Sequence, residues 1–389
     1  MTAAAPRICL IAGEDSGDIL GGALMATLKA RLDPPPVFAG LGGSHMRAEG
    51  IEPPFPLDDV AVMGAIAILK HLPVIWRRAH QVIDHAVAFR PDVIVIIDSP
   101  EFTHPIARRL RKRLPGVPIL DYVSPSVWAW RSYRARKMRS YIDEVLALLP
   151  FEPEAYRELD GPACTYVGHP LSEEVARLKS DGAPDRNRVL ILPGSRRSEV
   201  ERLMPIFSEC VARLAAARPG LHFVLPAADA QVARVRALAA EWPVRPEIVE
   251  GRENREAAMR GAMAAIAASG TVTLELALAR VPMVVCYKID WLIATFRSLL
   301  RAHSVVLANL VAGGNDIPEL IHKDCTVERI LAEALPLLDE TALRQRQMTA
   351  FDRVEAAMKF DGPSPSERAA GRVMAWLERL PAQRSESET

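Results

Sequence analysis

Short strand-like runs, each ended by a turn rich in Gly, Pro or Ser and followed by apolar residues at helical spacing, recur from one end of the chain to the other. In the first half they are Ile8–Ala12, Val37–Leu41, Val93–Ile97, Ile119–Val123 and Val145–Leu149. The series starts over with Val189–Leu192 and continues through His222–Pro226, Glu247–Glu250, Ala264–Ala268 and Met283–Tyr287. Runs that are apolar without alternation belong to strands buried on both faces, the signature of a parallel sheet flanked by helices. The pattern therefore predicts two doubly wound α/β domains, which suits a chain of 389 residues. The expected division is residues 1–170, then 171–355, with a hinge at Tyr166–Leu171. A helical segment, 356–381, is expected to pack back toward the N-terminal domain, and 382–389 to be a disordered tail.

In such sheets ligands bind beyond the carboxyl ends of the strands, so the residues there carry the functional information. After Val189–Leu192, Pro193 and Gly194 cut the strand off, and Ser195 and Arg196 open a helix. Unpaired N–H groups of a first helical turn, a glycine that lets a ligand approach, and a planar cation together form an anion seat, suited to a diphosphate. An ordinary strand-to-helix turn with Arg196 solvated or ion-paired is the competing reading. Ser269-Gly270-Thr271 repeats the arrangement after another strand, and Glu275, one turn further in, can take both hydroxyls of a ribose; helix capping alone also accounts for it. In the first half, Gly13 to Asp18 place Glu14, Ser16 and Asp18 as oxygen acceptors for sugar hydroxyls. Asp98 ends the central run Val93–Ile97, as a reactive carboxylate or as a helix N-cap.

Two further stretches suggest a wall for sugar or acyl groups. Trp128, Trp130 and Arg131 crowd one loop, with core packing of one tryptophan as the alternative. The segment holding Val62, Met63, Ile66 and Ile68 is apolar nearly all round and rimmed by Lys70, His71, Arg77 and Arg78; it reads as a buried helix first and an interfacial patch second.

Lys plus Arg and Asp plus Glu are both 48, so net charge selects no partner and gives no sign of nucleic-acid binding. The distribution is uneven: between His104 and Ile142 ten Lys or Arg face the single acid Asp121, enough to attract an anionic surface or a phosphorylated substrate. The five cysteines are scattered and read as small buried hydrophobes of a reducing compartment. The histidines show no metal-ligand spacing, so no metal site is expected. No signal peptide and no run of about 20 apolar residues is found. The expectation is a soluble or peripheral protein on the cytoplasmic side.

Taken together, these residues resemble the lipid-A-disaccharide synthases, inverting glycosyltransferases of GT-B architecture. The resemblance rests on Ala12-Gly-Glu-Asp-Ser-Gly-Asp18, Val62-Met-Gly64, Asp98 with Pro100 and Phe102, and Tyr122 to Trp130. It continues through Leu149-Pro-Phe-Glu152, Val167 to Leu171, Leu192 to Arg196, Ser269 to Thr271 with Glu275, and Pro282 to Val285. It implies two Rossmann-like domains facing across a cleft. It also implies transfer of 2,3-diacylglucosamine from its UDP derivative to 2,3-diacylglucosamine 1-phosphate, giving a β-1,6-linked disaccharide and UDP with no cofactor. An enzyme of this kind is peripheral to the inner membrane and can form a homodimer. In that frame Arg196 and the helix starts at Ser195 and Ser269 stabilise the leaving diphosphate, Glu275 holds the ribose and Asn309 orients the nucleotide. Asp98 is the expected base, Glu14 its alternative and Ser16 a positioning donor, with closure about His169–Leu171. The chain departs from the family at Ala67, Thr103, Ala308, Gly314 and His322, which bears on the acceptor and phosphate pockets. A UDP-sugar 2-epimerase and a nucleotide sensor without catalysis are the rival readings.

Overall fold

The computed structural model describes residues 4–60, 65–180, 182–288, 303–359 and 362–386; the side chains of 65–72 and 380–386 are not among the groups described. The expectations for Val62 and Met63, and for the side chains of Ile66 and Ile68, therefore lie outside the described residues.

The chain divides into two compact units, one running from the N-terminus to Pro170 and completed by the C-terminal helix, the other spanning Leu171–Lys359. The first is built on a parallel sheet of β1 (Arg7–Ala12), β2 (Val37–Leu41), β3 (Val93–Ile97), β4 (Ile119–Tyr122), β5 (Glu144–Ala147) and β6 (Ala163–Tyr166), in the order β2-β1-β3-β4-β5-β6. The second holds β7 (Asp185–Leu192), β8 (His222–Pro226), β9 (Glu247–Val249), β10 (Ala262–Ala268), β11 (Met283–Tyr287) and β12 (Glu319–Ile321), in the order β12-β11-β10-β7-β8-β9. Pairing is parallel throughout, Ile8 opposite Val93 in one sheet and Ile266 opposite Ile191 in the other.

Burial on both faces explains the unbroken apolar runs. Cys9, Ile11, Ile94 and Ile96 enter the core on one side of the first sheet, and Ile8, Leu10, Val93, Val95 and Ile97 the core on the other. All five residues of β3 are inaccessible to solvent. In the second unit the helix Arg197–Ala217 lays Leu203, Phe207, Cys210 and Leu214 against Val189 and Ile191. Each sheet reverses direction once, between β1 and β3 in the first and between β7 and β10 in the second. At such a reversal the helices leave on opposite faces and open a crevice past the strand ends.

The helix Pro365–Glu386 belongs to the first unit, where Ala369, Ala370 and Val373 share a core with Leu24 and Leu28 of the helix Asp15–Arg31. Ser364 and Glu367 cap it reciprocally, the Glu367 carboxylate accepting the Ser364 N–H at 2.7 Å and the Ser364 hydroxyl accepting the Glu367 N–H at 3.2 Å. Its deepest anchor is Glu144 on β5, which is 1% exposed. That carboxylate accepts both prongs of Arg372 at 2.8 and 3.0 Å, the Trp376 indole N–H at 2.7 Å and the Thr165 hydroxyl at 2.5 Å.

Three sequence expectations are corrected. Residue 355 does not end the second unit, because the helix Ala342–Met358 carries it on to Lys359. The C-terminal helix continues past 381 to Glu386, since Ala382, Gln383 and Arg384 are good helix formers. Short strands at β6 and β12 were not anticipated, because three or four residues at or near a sheet edge make no apolar run.

Candidate functional site

In the first unit, the ends of β1 and β3 meet at the reversal of the sheet and bring together Glu14, Ser16 and Asp98. The Ser16 hydroxyl lies 2.8 Å from Asp98 Oδ2 and 3.2 Å from Glu14 Oε1. With a single proton to give, it donates over the shorter contact, to Asp98. Asp98 Oδ1 accepts the N–H of Ser99 at 2.7 Å. Asp98 is not the helix cap that was the competing reading: Ser99 occupies that position ahead of Pro100–Arg113, and no side chain caps the helix. Asp98 and Ser99 both sit in the left-handed region, at φ 55° and 48°. Two consecutive non-glycine residues there are costly, and surrounding contacts hold them. Thr103 bonds the Asp98 carbonyl at 2.8 Å and the Ser99 carbonyl at 3.2 Å, so it supports the turn that carries the carboxylate. Gly13 is required by close approach, since a Cβ there would lie 2.4 Å from that of Ser99.

Asp18 is corrected. It is 2% exposed and its carboxylate accepts the N–H groups of Gly43, His45 and Met46 at 2.7, 2.9 and 3.0 Å, which fixes the connection after β2 and leaves nothing for a sugar.

The two tryptophans part company. Trp128 packs edge-on against Phe151, ring centroids 5.1 Å apart, and donates its indole N–H to Glu152 at 3.1 Å. Trp130 is 42% exposed, with the Arg131 guanidinium 4.1 Å from its ring centre. Burial pushes the Glu152 carboxyl up to about 7, against the bonds from Leu149 and Trp128 that favour its charged form. The folded chain thus holds a proton at Glu152 that the unfolded chain releases from about pH 4.5 upward. The associated stability is present below that pH and is lost as pH rises through 7, amounting to about 3 kcal/mol. Glu152→Gln is expected to flatten the stability profile between pH 5 and 7; urea titrations across that range check it, and an unchanged slope would remove Glu152 as the cause.

In the second unit the turns after β7 and β10 meet at the other reversal. A cavity of about 340 Å³ gathers Gly194, Ser195, Arg196, Ser269, Gly270, Thr271 and Glu275, the expected nucleotide residues apart from Asn309. Gly194 has φ 106°, which favours glycine, and a Cβ there would also strike the Glu199 carboxylate. Glu275 is partly buried; burial raises its pKa above the usual carboxyl value, while the Arg255 cation opposes the rise.

Two expectations change here. The N–H groups of Ser195 and Arg196 are not open to an anion, because the Glu199 carboxylate accepts both at 3.2 Å. Charge for a phosphate comes instead from the Arg196 guanidinium, 60% exposed and only loosely paired with Glu199 at 3.4 Å. Asn309 does not line the cavity. It is fully buried, its amide donating to the Ile317 carbonyl at 3.0 Å and to Glu319 at 2.9 Å, while its oxygen accepts the Ile317 N–H at 3.0 Å. The Ser269 hydroxyl is likewise committed, to the Val305 carbonyl at 2.8 Å. Glu199 and Arg255 also line the cavity; the sequence carries no signal for either, since Arg196, three residues before Glu199, offers no capping acceptor, and Arg255 lies on the helix Arg252–Met259 after β9.

A larger hollow of about 540 Å³ is lined by Arg188, His222, Arg236 and Glu247. His222 and Glu247 begin β8 and β9, at the amino ends of the strands where ligands of such sheets do not bind, and they pair with each other at 3.0 Å. The 340 Å³ cavity, past the carboxyl ends of β7 and β10, is the candidate nucleotide site.

Two Rossmann-like units, each with polar groups gathered where its strand order reverses, make up the GT-B architecture. Solved structures share this fold: UDP-GlcNAc 2-epimerase from Neisseria meningitidis bound to UDP-GlcNAc has a TM-score of 0.63 at 11% identity, covering 96% of this chain and 100% of its own. MurG from Acinetobacter baumannii has a TM-score of 0.56 at 16% identity, covering 95% and 99%. The family described as Lipid-A-disaccharide synthetase matches residues 8–373. Lipid-A-disaccharide synthase of Nitrobacter hamburgensis is 49% identical over 377 residues, 95% of each chain, and that of Rhodopseudomonas palustris (strain HaA2) 48% identical over 380 residues, 96% of this chain and 97% of its own. The chain belongs to the lipid-A-disaccharide synthase family.

Proposed function

We propose that the chain joins two acylated glucosamines, transferring 2,3-diacylglucosamine from its UDP derivative to the 6-hydroxyl of 2,3-diacylglucosamine 1-phosphate with inversion, and releasing UDP. The observation that carries the proposal is the cavity in which Arg196 and Glu275 stand at the crevice of the second sheet. A cation that meets a diphosphate and a carboxylate that meets a ribose are what a departing UDP requires. As the bond from the anomeric carbon to the diphosphate oxygen breaks, negative charge grows on that oxygen, and the Arg196 guanidinium stabilises it. In the first unit Asp98 takes the proton from the attacking hydroxyl, its carboxylate oriented by Ser16 and the Ser99 N–H. Glu14 Oε1 lies 3.2 Å from the Ser16 hydroxyl and is the alternative base.

The acyl chains give the enzyme reason to work at the inner-membrane surface as a peripheral protein, on the cytoplasmic side where UDP-sugars are made. No helix among the described residues is long and apolar enough to cross a membrane. A homodimer is compatible with this reading.

Purified protein given both substrates is expected to release UDP and form a disaccharide 1-phosphate, identified by mass spectrometry. Turnover of UDP-N-acetylglucosamine alone, with no disaccharide, would replace this reading with an epimerase. Glu275→Ala is expected to raise KM for the UDP-sugar about 10- to 100-fold, the loss of charged hydrogen bonds to the ribose, while KM for the acceptor holds. An unchanged donor KM would take Glu275 out of the ribose site.

A further inference from the structure

Between the helix Pro100–Arg113 and the helix Tyr133–Met138 lies a smaller pocket of about 80 Å³ that the displacement chemistry does not use. Glu101, His104, Arg108, Arg134 and Tyr141 line it. Arg134 grips Glu101 with both prongs, at 2.7 and 3.2 Å, and Arg131 approaches the same carboxylate at 3.6 Å. Arg108 donates to the Tyr141 hydroxyl at 3.2 Å and lies 4.8 Å from its ring centre. The floor is rigid: His104, 7% exposed, bonds the Tyr141 hydroxyl at 3.0 Å through Nδ1 and lies 3.2 Å from the buried Asp121 through Nε2. Asp121 faces His104, and at the mouth the guanidiniums of Arg134 and Arg131 meet the carboxylate of Glu101, whose side chain is 71% exposed. Arg134 holds that carboxyl below the ordinary range, so it stays ionised and acts as an internal anion in a cationic seat.

We infer that this pocket takes a phosphate monoester, the 1-phosphate of the acceptor sugar, and that Glu101 occupies its cations until the phosphate displaces it. The inference rests on the acceptor named above. Glu101 lies in the first turn of the helix that begins two residues after Asp98. A base at the 6-hydroxyl therefore has the seat within reach of the same pyranose ring, whose C1 and C6 substituents flank the ring oxygen. Arg108 and Arg134 supply planar forks suited to phosphate oxygens, and Tyr141 holds Arg108 in place by accepting from it. The seat would set acceptor specificity without taking part in the displacement.

The test compares 2,3-diacylglucosamine 1-phosphate with the corresponding methyl glycoside, at a fixed concentration of UDP-2,3-diacylglucosamine. The parent chain is expected to prefer the phosphorylated acceptor, and Arg108→Gln or Arg134→Gln to reduce that preference about 10- to 100-fold, the scale of charge-assisted hydrogen bonds. Glu101→Gln, which removes the competitor and keeps the shape, is expected to lower KM for the phosphorylated acceptor about threefold; a rise would overturn the displacement. Equal losses on both acceptors would assign the arginines to structural support and overturn the seat. So would an unchanged preference with lost capture on phosphatidylglycerol vesicles, which would assign the cations to the membrane surface. Absence of disaccharide from the parent chain would refute the synthase activity itself. The seat is then read from calorimetric binding of glucosamine 1-phosphate, expected in the parent and lost in Arg108→Gln; no binding to the parent would refute it.

Discussion

Asp98→Asn is expected to lower turnover about a thousandfold while UDP binding stays within about twofold of the parent. General-base catalysis contributes about 10²- to 10⁴-fold, and the amide keeps the size of the carboxylate without its basicity. The expectation is sharpened by how completely Asp98 is held: one oxygen on the Ser99 N–H, the other on the Ser16 hydroxyl, and the backbone fixed at φ 55° by Thr103 beneath it. UDP affinity should hold because the residues proposed to bind the nucleotide belong to the second unit. Ser16→Ala removes one of the two bonds to the carboxylate and is expected to cost about tenfold, the value of one charge-assisted hydrogen bond. UDP release and titration calorimetry check the pair. Turnover of Asp98→Asn within tenfold of the parent would pass the base's role to Glu14.

Glu144→Ala is expected to destabilise the first unit by about 3 kcal/mol. Removing one member of a buried ion pair costs about 3–5 kcal/mol, because the partner is left desolvated and alone. Here Arg372 is 33% exposed and regains some water, which puts the loss at the lower end, while Trp376 and Thr165 lose their acceptor as well. The helix Pro365–Glu386 should loosen before the rest, so limited proteolysis is expected to cut it in the variant and spare it in the parent. Urea unfolding gives the magnitude; a loss below 1 kcal/mol with no new cleavage would mean that Ala369, Ala370 and Val373 hold the helix unaided.

What the sequence disclosed and what it hid divide along physical lines. Beside each sheet reversal, β3, β10, Ile8–Ala12 of β1 and Val189–Leu192 of β7 are buried on both faces, and that burial forces the unbroken apolar runs that betray them. The turns that follow inherit their positions from the strands, so Glu14, Ser16, Asp98, Arg196 and Glu275 were legible as groups past strand ends. The uses of polar side chains were not. Asp18 and Asn309 look like their functional neighbours in the sequence, yet each is consumed by backbone groups, of Gly43 to Met46 and of Ile317, whose proximity arises only in the folded chain. Trp128 and Trp130 stand two residues apart and differ because Glu152, in another element, claims one of them.

The return of the last helix to the first unit governs the order in which the protein can be built. Leu24, Leu28 and their neighbours have no cover on that side until Ala369 to Val373 arrive, so a nascent chain emerging from the ribosome can close the core of residues 171–359 while the N-terminal core still waits for the final 22-residue helix. Of the two units, the one made earlier is the one that finishes last.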